Sequence, residues 1–287
     1  MHVLPLFPGV FYISVGSHSL LAGCPPEIVK VLMQRGLRPP NWILLPDKPV
    51  SHGESQVAVE FPLYHHLFLG GKLTDREPLG LLGSGRRVQA AYDLLELTLF
   101  GPDPQQLTEW GMPAAQAEAL ARETRSFQLK DKLGKVIPLD AMVRTQVLEE
   151  TPVDLGWCCV RRVECNRFEI AVGGNTREFD LTPIHEQVPP YPVNTDLTAT
   201  TLVQFGVEVL GGSTGFSATQ ASSGFALCHN GNYLLVDAIP YLNAHLRARG
   251  IARNQVHGIF LSHIHDDTAT SSRCFNTTGG SACSPPR

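Results

Sequence analysis

The stretch Gly258-Ile259-Phe260-Leu261-Ser262-His263-Ile264-His265-Asp266-Asp267-Thr268 decides how this chain is read. Gly258 to Leu261 is an apolar run that reads as a buried strand, and it delivers His263, His265 and Asp267 into the segment that follows. In extended chain, residues two apart project to the same side, so the two imidazoles converge while Asp267 swings in from the next turn. Imidazole and carboxylate in this spacing are donors suited to a divalent metal ion. Asp266, between the ligand positions, reads as an outward-facing neighbour, or as a replacement for Asp267 if the loop shifts by one residue.

Upstream, the pattern is that of a small sheet with one helix. Leu202 to Leu210 reads as a strand and Gly211 to Gly224 as a stretch rich in small residues. Phe225 to Cys228 and Tyr233 to Val236 flank Asn230-Gly231, the dipeptide that most readily supplies the positive backbone angles of a tight hairpin. The second of these strands ends in Leu234-Leu235-Val236-Asp237. Pro240 to Arg249 is helical, with Leu242, His245 and Leu246 at the right spacing, and Val256 to Leu261 returns to the sheet.

Taken in this order, residues 202–270 resemble the metallo-β-lactamase superfamily, whose motif is His-x-His-x-Asp-His. The resemblance implies an α/β (α+β) fold class: the N-terminal half of an αββα sandwich, preceded here by a mixed α/β accessory region. It implies that His263 and His265 bind one metal ion, and that Asp267 binds a second and orients the bridging water. Asp237 is implied as a carboxylate behind the ligands that fixes their loop. The cofactor implied is one or two zinc ions, with iron or manganese as alternatives. The chemistry implied is hydrolysis by metal-activated water of an ester, thioester, amide or phosphodiester in a small-molecule substrate the sequence does not identify.

Two departures from the motif set up an alternative. Thr268 stands where the family has its third histidine, and the chain ends at Arg287, before the family's downstream ligands. Ser271 to Arg287 is rich in Ser, Thr, Gly, Pro and Cys with Phe275 as its only large apolar residue, so it is expected to be disordered. Its abrupt start suggests a truncated gene or a shifted reading frame. The alternative is therefore a non-catalytic remnant or protein-interaction module with a vestigial metal motif.

The first hundred residues alternate strand and helix signals. Val10 to Val15 is a predicted strand, and Pro25-Pro26 opens a helix with Ile28, Val31, Leu32 and Arg35 at helical spacing, stopped by Gly36. Trp42 to Leu45 and Gln56 to Phe61 are further predicted strands. Gly80 to Gly85 lacks the Gly-Lys-Ser/Thr of a phosphate loop and reads as a flexible turn. Arg87 to Phe100 and Pro113 to Arg125 are amphipathic helices. From Phe127 the pattern turns to β structure, with strands at Trp157 to Val163, Arg167 to Val172 and Thr176 to Leu181. Proline-rich Pro183 to Pro192 reads as a linker. The expected division is 1–126, an α/β accessory region; 127–192, a β-rich segment with linker; 193–270, the partial metallo-β-lactamase-like domain; and 271–287, the tail. No internal repeat is evident.

Other histidines and cysteines read as structural. His65-His66 is expected to be a core or surface pair on opposite sides of a strand, His185-Glu186 lacks the partner histidine of a helical zinc-protease motif, and Cys158-Cys159 alternates across a strand. A formal net charge of −4 gives no basic footprint, which disfavours nucleic acid as a partner. Seven cysteines without a Cys-x-x-Cys spacing form no disulfide framework or zinc ribbon, so a reducing cytoplasm is expected. No apolar run approaches the ~18 residues of a membrane span, so no membrane partner is expected. Leu20 to Cys24 looks like a lipoprotein cleavage box. No Lys or Arg precedes Lys30, however, and prolines and histidines interrupt the segment, so it reads as a strand before a Cys-Pro-Pro turn. A homodimer is compatible with all of this.

Overall fold

The computed structural model describes residues 1–51, 54–75, 77–183, 188–193 and 204–269. The predicted tail beyond Ser271, the His185-Glu186 pair and the start of the strand at Leu202 lie outside them. The chain is a mixed α/β protein built on three main sheets.

The first sheet begins with an antiparallel meander, β1 (His2–Phe7), β2 (Val10–Val15) and β3 (His18–Ala22). Pro25 and Pro26 cannot extend the ladder, and the chain turns into α1 (Ile28–Gln34), which buries Ile28, Val29, Val31 and Leu32. β4 (Trp42–Leu44) returns parallel to β3. A two-residue pairing of β5 (Val50–Ser51) with β6 (Glu54–Ser55) precedes α2 (Glu60–Tyr64), which continues as a π-helical turn, and α3 (Lys72–Asp75). β7 (Leu79–Gly83) adds in parallel to β4. The helices α4 (Gly85–Phe100), α5 (Pro104–Glu109) and α6 (Ala114–Phe127) then lead to β8 (Val143–Val147), parallel to β7.

Two expectations fail here for identifiable reasons. Gly80 to Gly85 is not a flexible turn: Leu79–Gly83 is a wholly buried inner strand. A Cβ on Gly80 would come within 2.2 Å of the Trp42 ring, so this glycine is there for close packing. Gln56 to Phe61 is not a strand either. Only Val57 makes a bridge, to Cys24, and the chain becomes helical at Glu60, where Pro62 fits the first turn and an acceptor from a distant segment receives the end amide.

A second sheet, β9 (Val153–Asp154), β10 (Cys159–Glu164), β11 (Arg167–Val172) and β12 (Asn175–Asp180), is an antiparallel meander. Its Val160, Phe168, Ile170 and Phe179 pack on Ile13, Leu20, Trp42 and Leu44 of the first sheet. The opposite face of the first sheet, with Leu21, Ile43 and Leu81, is covered by α1 and α4. Both faces of its inner strands β4 and β7 are thus buried.

The third sheet is β13 (Phe205–Gly211), β14 (Gly224–His229), β15 (Asn232–Val236) and β16 (Val256–Phe260), with α7 (Leu242–Ala248) crossing from β15 to the parallel β16. This is the plan of β1 to β4 over again, a repeat that the sequence reading missed. The Val15/His18 hairpin corresponds to His229/Asn232, and Gly23 N donates to Leu44 O as Asp237 N does to Phe260 O. Aligned on these bonds, Leu20, Leu21, Pro26, Leu32, Arg35 and Gly36 fall on Leu234, Leu235, Pro240, Leu246, Arg249 and Gly250. The residues preceding the two helices, Glu27 and Tyr241, both adopt left-handed backbone angles. Scattered identities of this kind are invisible until pairing supplies the register.

β16 differs from its expectation. It is an edge strand, with Phe260 57% exposed and Leu261 38% exposed, because no further strand and no second layer lie beyond it among the described residues.

Candidate metal centre

The loop after β16 is held in shape by two side chains. Asp237 adopts a left-handed conformation (φ 65°) at the end of β15, which aims its carboxylate across at the neighbouring strand end. Its Oδ1 accepts from Ser262 N at 2.8 Å and its Oδ2 from Ser262 Oγ at 2.7 Å. Ser262 Oγ, its proton directed to Asp237, accepts from His263 Nδ1 at 2.7 Å. On the other side of the loop Thr268 is buried, its Oγ1 accepts from His265 N at 3.2 Å, and its carbonyl accepts from Ala238 N. The hydroxyl also lies 3.1 Å from His263 O and His265 O. Thr268 therefore closes the loop.

Within this frame His263 and His265 meet edge to face with ring centroids 4.5 Å apart. One donor atom from each of His263, His265 and Asp267 lies within 4.8 Å of the others, a group able to hold a metal ion. Asp267 Oδ1 is buried and has no hydrogen-bond partner among the described residues, a costly state that a cation would relieve. Burial raises the Asp267 carboxyl above its ordinary pKa, partly offset by His265 and His263. Two imidazoles, a carboxylate and this orphaned oxygen fit a divalent ion with an open position.

Asp266 is not outward-facing. Its Oδ2 accepts from Glu60 N at 2.8 Å, capping the start of α2, while Asp266 N donates to Glu60 Oε2 at 3.0 Å. Burial and the neighbouring Glu60 push the Asp266 carboxyl up to about 7. Glu60 was not legible as a site residue. It is fully buried, its Oε1 accepts from Tyr64 OH at 2.8 Å, and the same oxygen stands 3.5 Å from His265 Nε2. Nothing in a lone Glu at a helix start signals a partner 206 positions away.

Among the described residues no other histidine joins this group. His65 and His66 lie in the π-helical turn after α2 rather than in a strand, and both are buried. The two nitrogens of His66 contact Pro40 O and Glu77 O. Cys158 is buried and Cys159 half-buried, and the described cysteines are free thiols. Among the described residues no helix is long and apolar enough to cross a membrane.

No family model matches the sequence, and no curated protein matches it. Among solved structures the chain is similar to the metallo-β-lactamase fold protein YhfI from Bacillus subtilis, at 13% identity and a TM-score of 0.30, over 58% of this chain and 52% of that one. The chain thus spans about half the length of that protein.

Proposed function

We propose that this chain belongs to a metal-dependent hydrolase of the metallo-β-lactamase type, with the ion held by His263, His265 and Asp267. The observation that carries the reading is the convergence of these three donors around a buried, unpartnered carboxylate oxygen. The hydrolytic class rests on the motif's resemblance, and zinc is the first ion to test. When bound, such an ion supplies an acidified water and polarises a carbonyl or phosphoryl oxygen.

The residues of the chain have separate tasks. Ser262, backed by Asp237, holds His263 Nδ1 and leaves Nε2 to ligate. Asp267 offers its unpartnered Oδ1 to the ion. Thr268 fixes the distance between the two imidazoles by tying the loop backbone.

The test is metal content of the purified chain by elemental analysis, beside a His263→Ala/His265→Ala double variant. Near-stoichiometric zinc, iron or manganese that disappears in the variant is the expected result. No metal in either protein would favour the second reading, an interaction module with a vestigial motif. That reading draws on one observation: Thr268 fills the third histidine's position and is committed to the loop.

A further inference from the structure

We infer that Glu60, from the first half of the chain, is a positioning residue of this centre: it holds His265 by the outer ring nitrogen and locks the ligand loop to α2. The inference deepens the metal reading and rests on it for the ligand role of His265.

A carboxylate sealed from water is retained only where its oxygens are partnered, and every partner of Glu60 leads to the loop or to its own helix. Oε2 receives Asp266 N and Oε1 receives Tyr64 OH, so the carboxylate plane is fixed before His265 is considered. In that orientation Oε1 stands 3.5 Å from His265 Nε2, while Phe61 packs edge-on to the same ring with centroids 6.5 Å apart. The reciprocal bond from Glu60 N to Asp266 Oδ2 makes the link two-way. An imidazole whose Nε2–H points at a carboxylate presents Nδ1 to an ion, and a carboxylate behind a histidine ligand sets both its tautomer and its ring angle. His263 is held in the complementary way, through Nδ1, by Ser262. The two ligands are thus oriented by different halves of the molecule, His263 from β15 and His265 from α2.

The experiment compares the intact chain, Glu60→Gln and Leu63→Ala by two readouts. Leu63 is buried on the same helix, so its truncation reports a merely structural disturbance. The first readout is the His265 ring tautomer in the metal-free proteins, from long-range nitrogen–proton NMR correlations. It is expected to be Nε2–H in the intact chain and in Leu63→Ala, and mixed in Glu60→Gln. The second is competition for Zn²⁺ and Co²⁺ against a chromophoric chelator. Glu60→Gln is expected to weaken binding about 10- to 100-fold and alter the Co²⁺ visible spectrum, with Leu63→Ala near the intact value. An unchanged tautomer and unchanged affinity in Glu60→Gln overturn the inference and leave the metal reading standing. A tautomer change without metal binding by any of the proteins upholds Glu60 and overturns the metal reading.

Discussion

The unit from β1 to β4 and the unit from β13 to β16 follow one plan and finish differently. Leu45 and Leu261 occupy the same place after the last strand, and two residues on, Asp47 stands where His263 does. Asp47 accepts from Asn166 N at 2.8 Å and from Arg162 Nε at 3.1 Å, which staples the β9–β12 meander to the first sheet. His263 instead joins His265 and Asp267 as one of three donors that could hold a metal ion. Gly23 and Asp237 likewise share a left-handed position. At 23 a Cβ would lie 2.8 Å from Gly9 O, so only glycine fits, whereas at 237 the site is open enough for the carboxylate that holds Ser262. The shared plan supplies strand ends aimed at a loop; the residue placed there decides between docking the meander and joining the His263, His265 and Asp267 group.

The same comparison separates the two outer sheet faces. In the first unit Phe11, Ile13, Leu20 and Leu44 pack against the meander, but their counterparts Phe225, Leu227, Leu234 and Phe260 are 36%, 38%, 42% and 57% exposed. Paired substitutions measure the difference most directly. Leu20→Ala is expected to cost about 2–5 kcal/mol and Leu234→Ala less than about 1, read from urea unfolding. Equal costs would mean that the second face is covered in solution.

The next largest effect is that of pH. Burial pushes His65 and His245 down to about 4, helped by His66 for the former and by Arg249 and Lys30 for the latter. His245 faces Tyr191 as well, whose OH lies 3.3 Å from its Nε2. Both rings are neutral in the fold yet take up protons near 6.5 when unfolded. Their contribution is therefore complete above pH 6.5 and lost as pH falls toward 4, by up to roughly 3 kcal/mol each. Burial raises the Asp266 carboxyl, which acts in the opposite sense over the same range, so the histidine effect is read as a difference between proteins: from pH 7 to pH 4.5 the intact chain should lose more unfolding free energy than His245→Gln. Equal pH slopes in the two proteins would break the link between burial and the neutral ring.

Asp47→Ala is expected to cost about 2–3 kcal/mol, since it strands an amide and a guanidinium at the staple, and to leave metal affinity unchanged. Asp237→Asn should do the opposite. Asn tolerates the left-handed angles, so stability changes little, but with its Oδ1 taken by Ser262 N the amide nitrogen in place of Oδ2 cannot accept from the Ser262 hydroxyl, and metal affinity should fall about 10-fold in chelator competition. If both variants affected stability alone, the two strand ends would be doing the same structural work.

Much of this plan was legible in the chain. Val10 to Val15, the helix stopped by Gly36, the Asn230-Gly231 hairpin and the helix before the motif appear where periodicity and turn chemistry put them, because those signals act over a few residues. His263, His265 and Asp267 were legible as a group for the same reason: strand alternation and one turn bring them together. Gly80 and Gln56 to Phe61 were misread because their conformations answer to Trp42 and Asp266, which lie far along the chain.

The sequence by itself determined the local elements, the mixed α/β class and the nearness of the two histidines to Asp267, all consequences of backbone geometry over short spans. Only the tertiary structure decided that β16 is an exposed edge, that the β1–β4 plan recurs around it, that Asp266 turns inward and that Glu60 stands behind His265. Those facts depend on which distant surfaces exclude water together. A carboxylate is drawn to a buried amide or imidazole by the cost of leaving either unpaired, and no local pattern records which one it will meet.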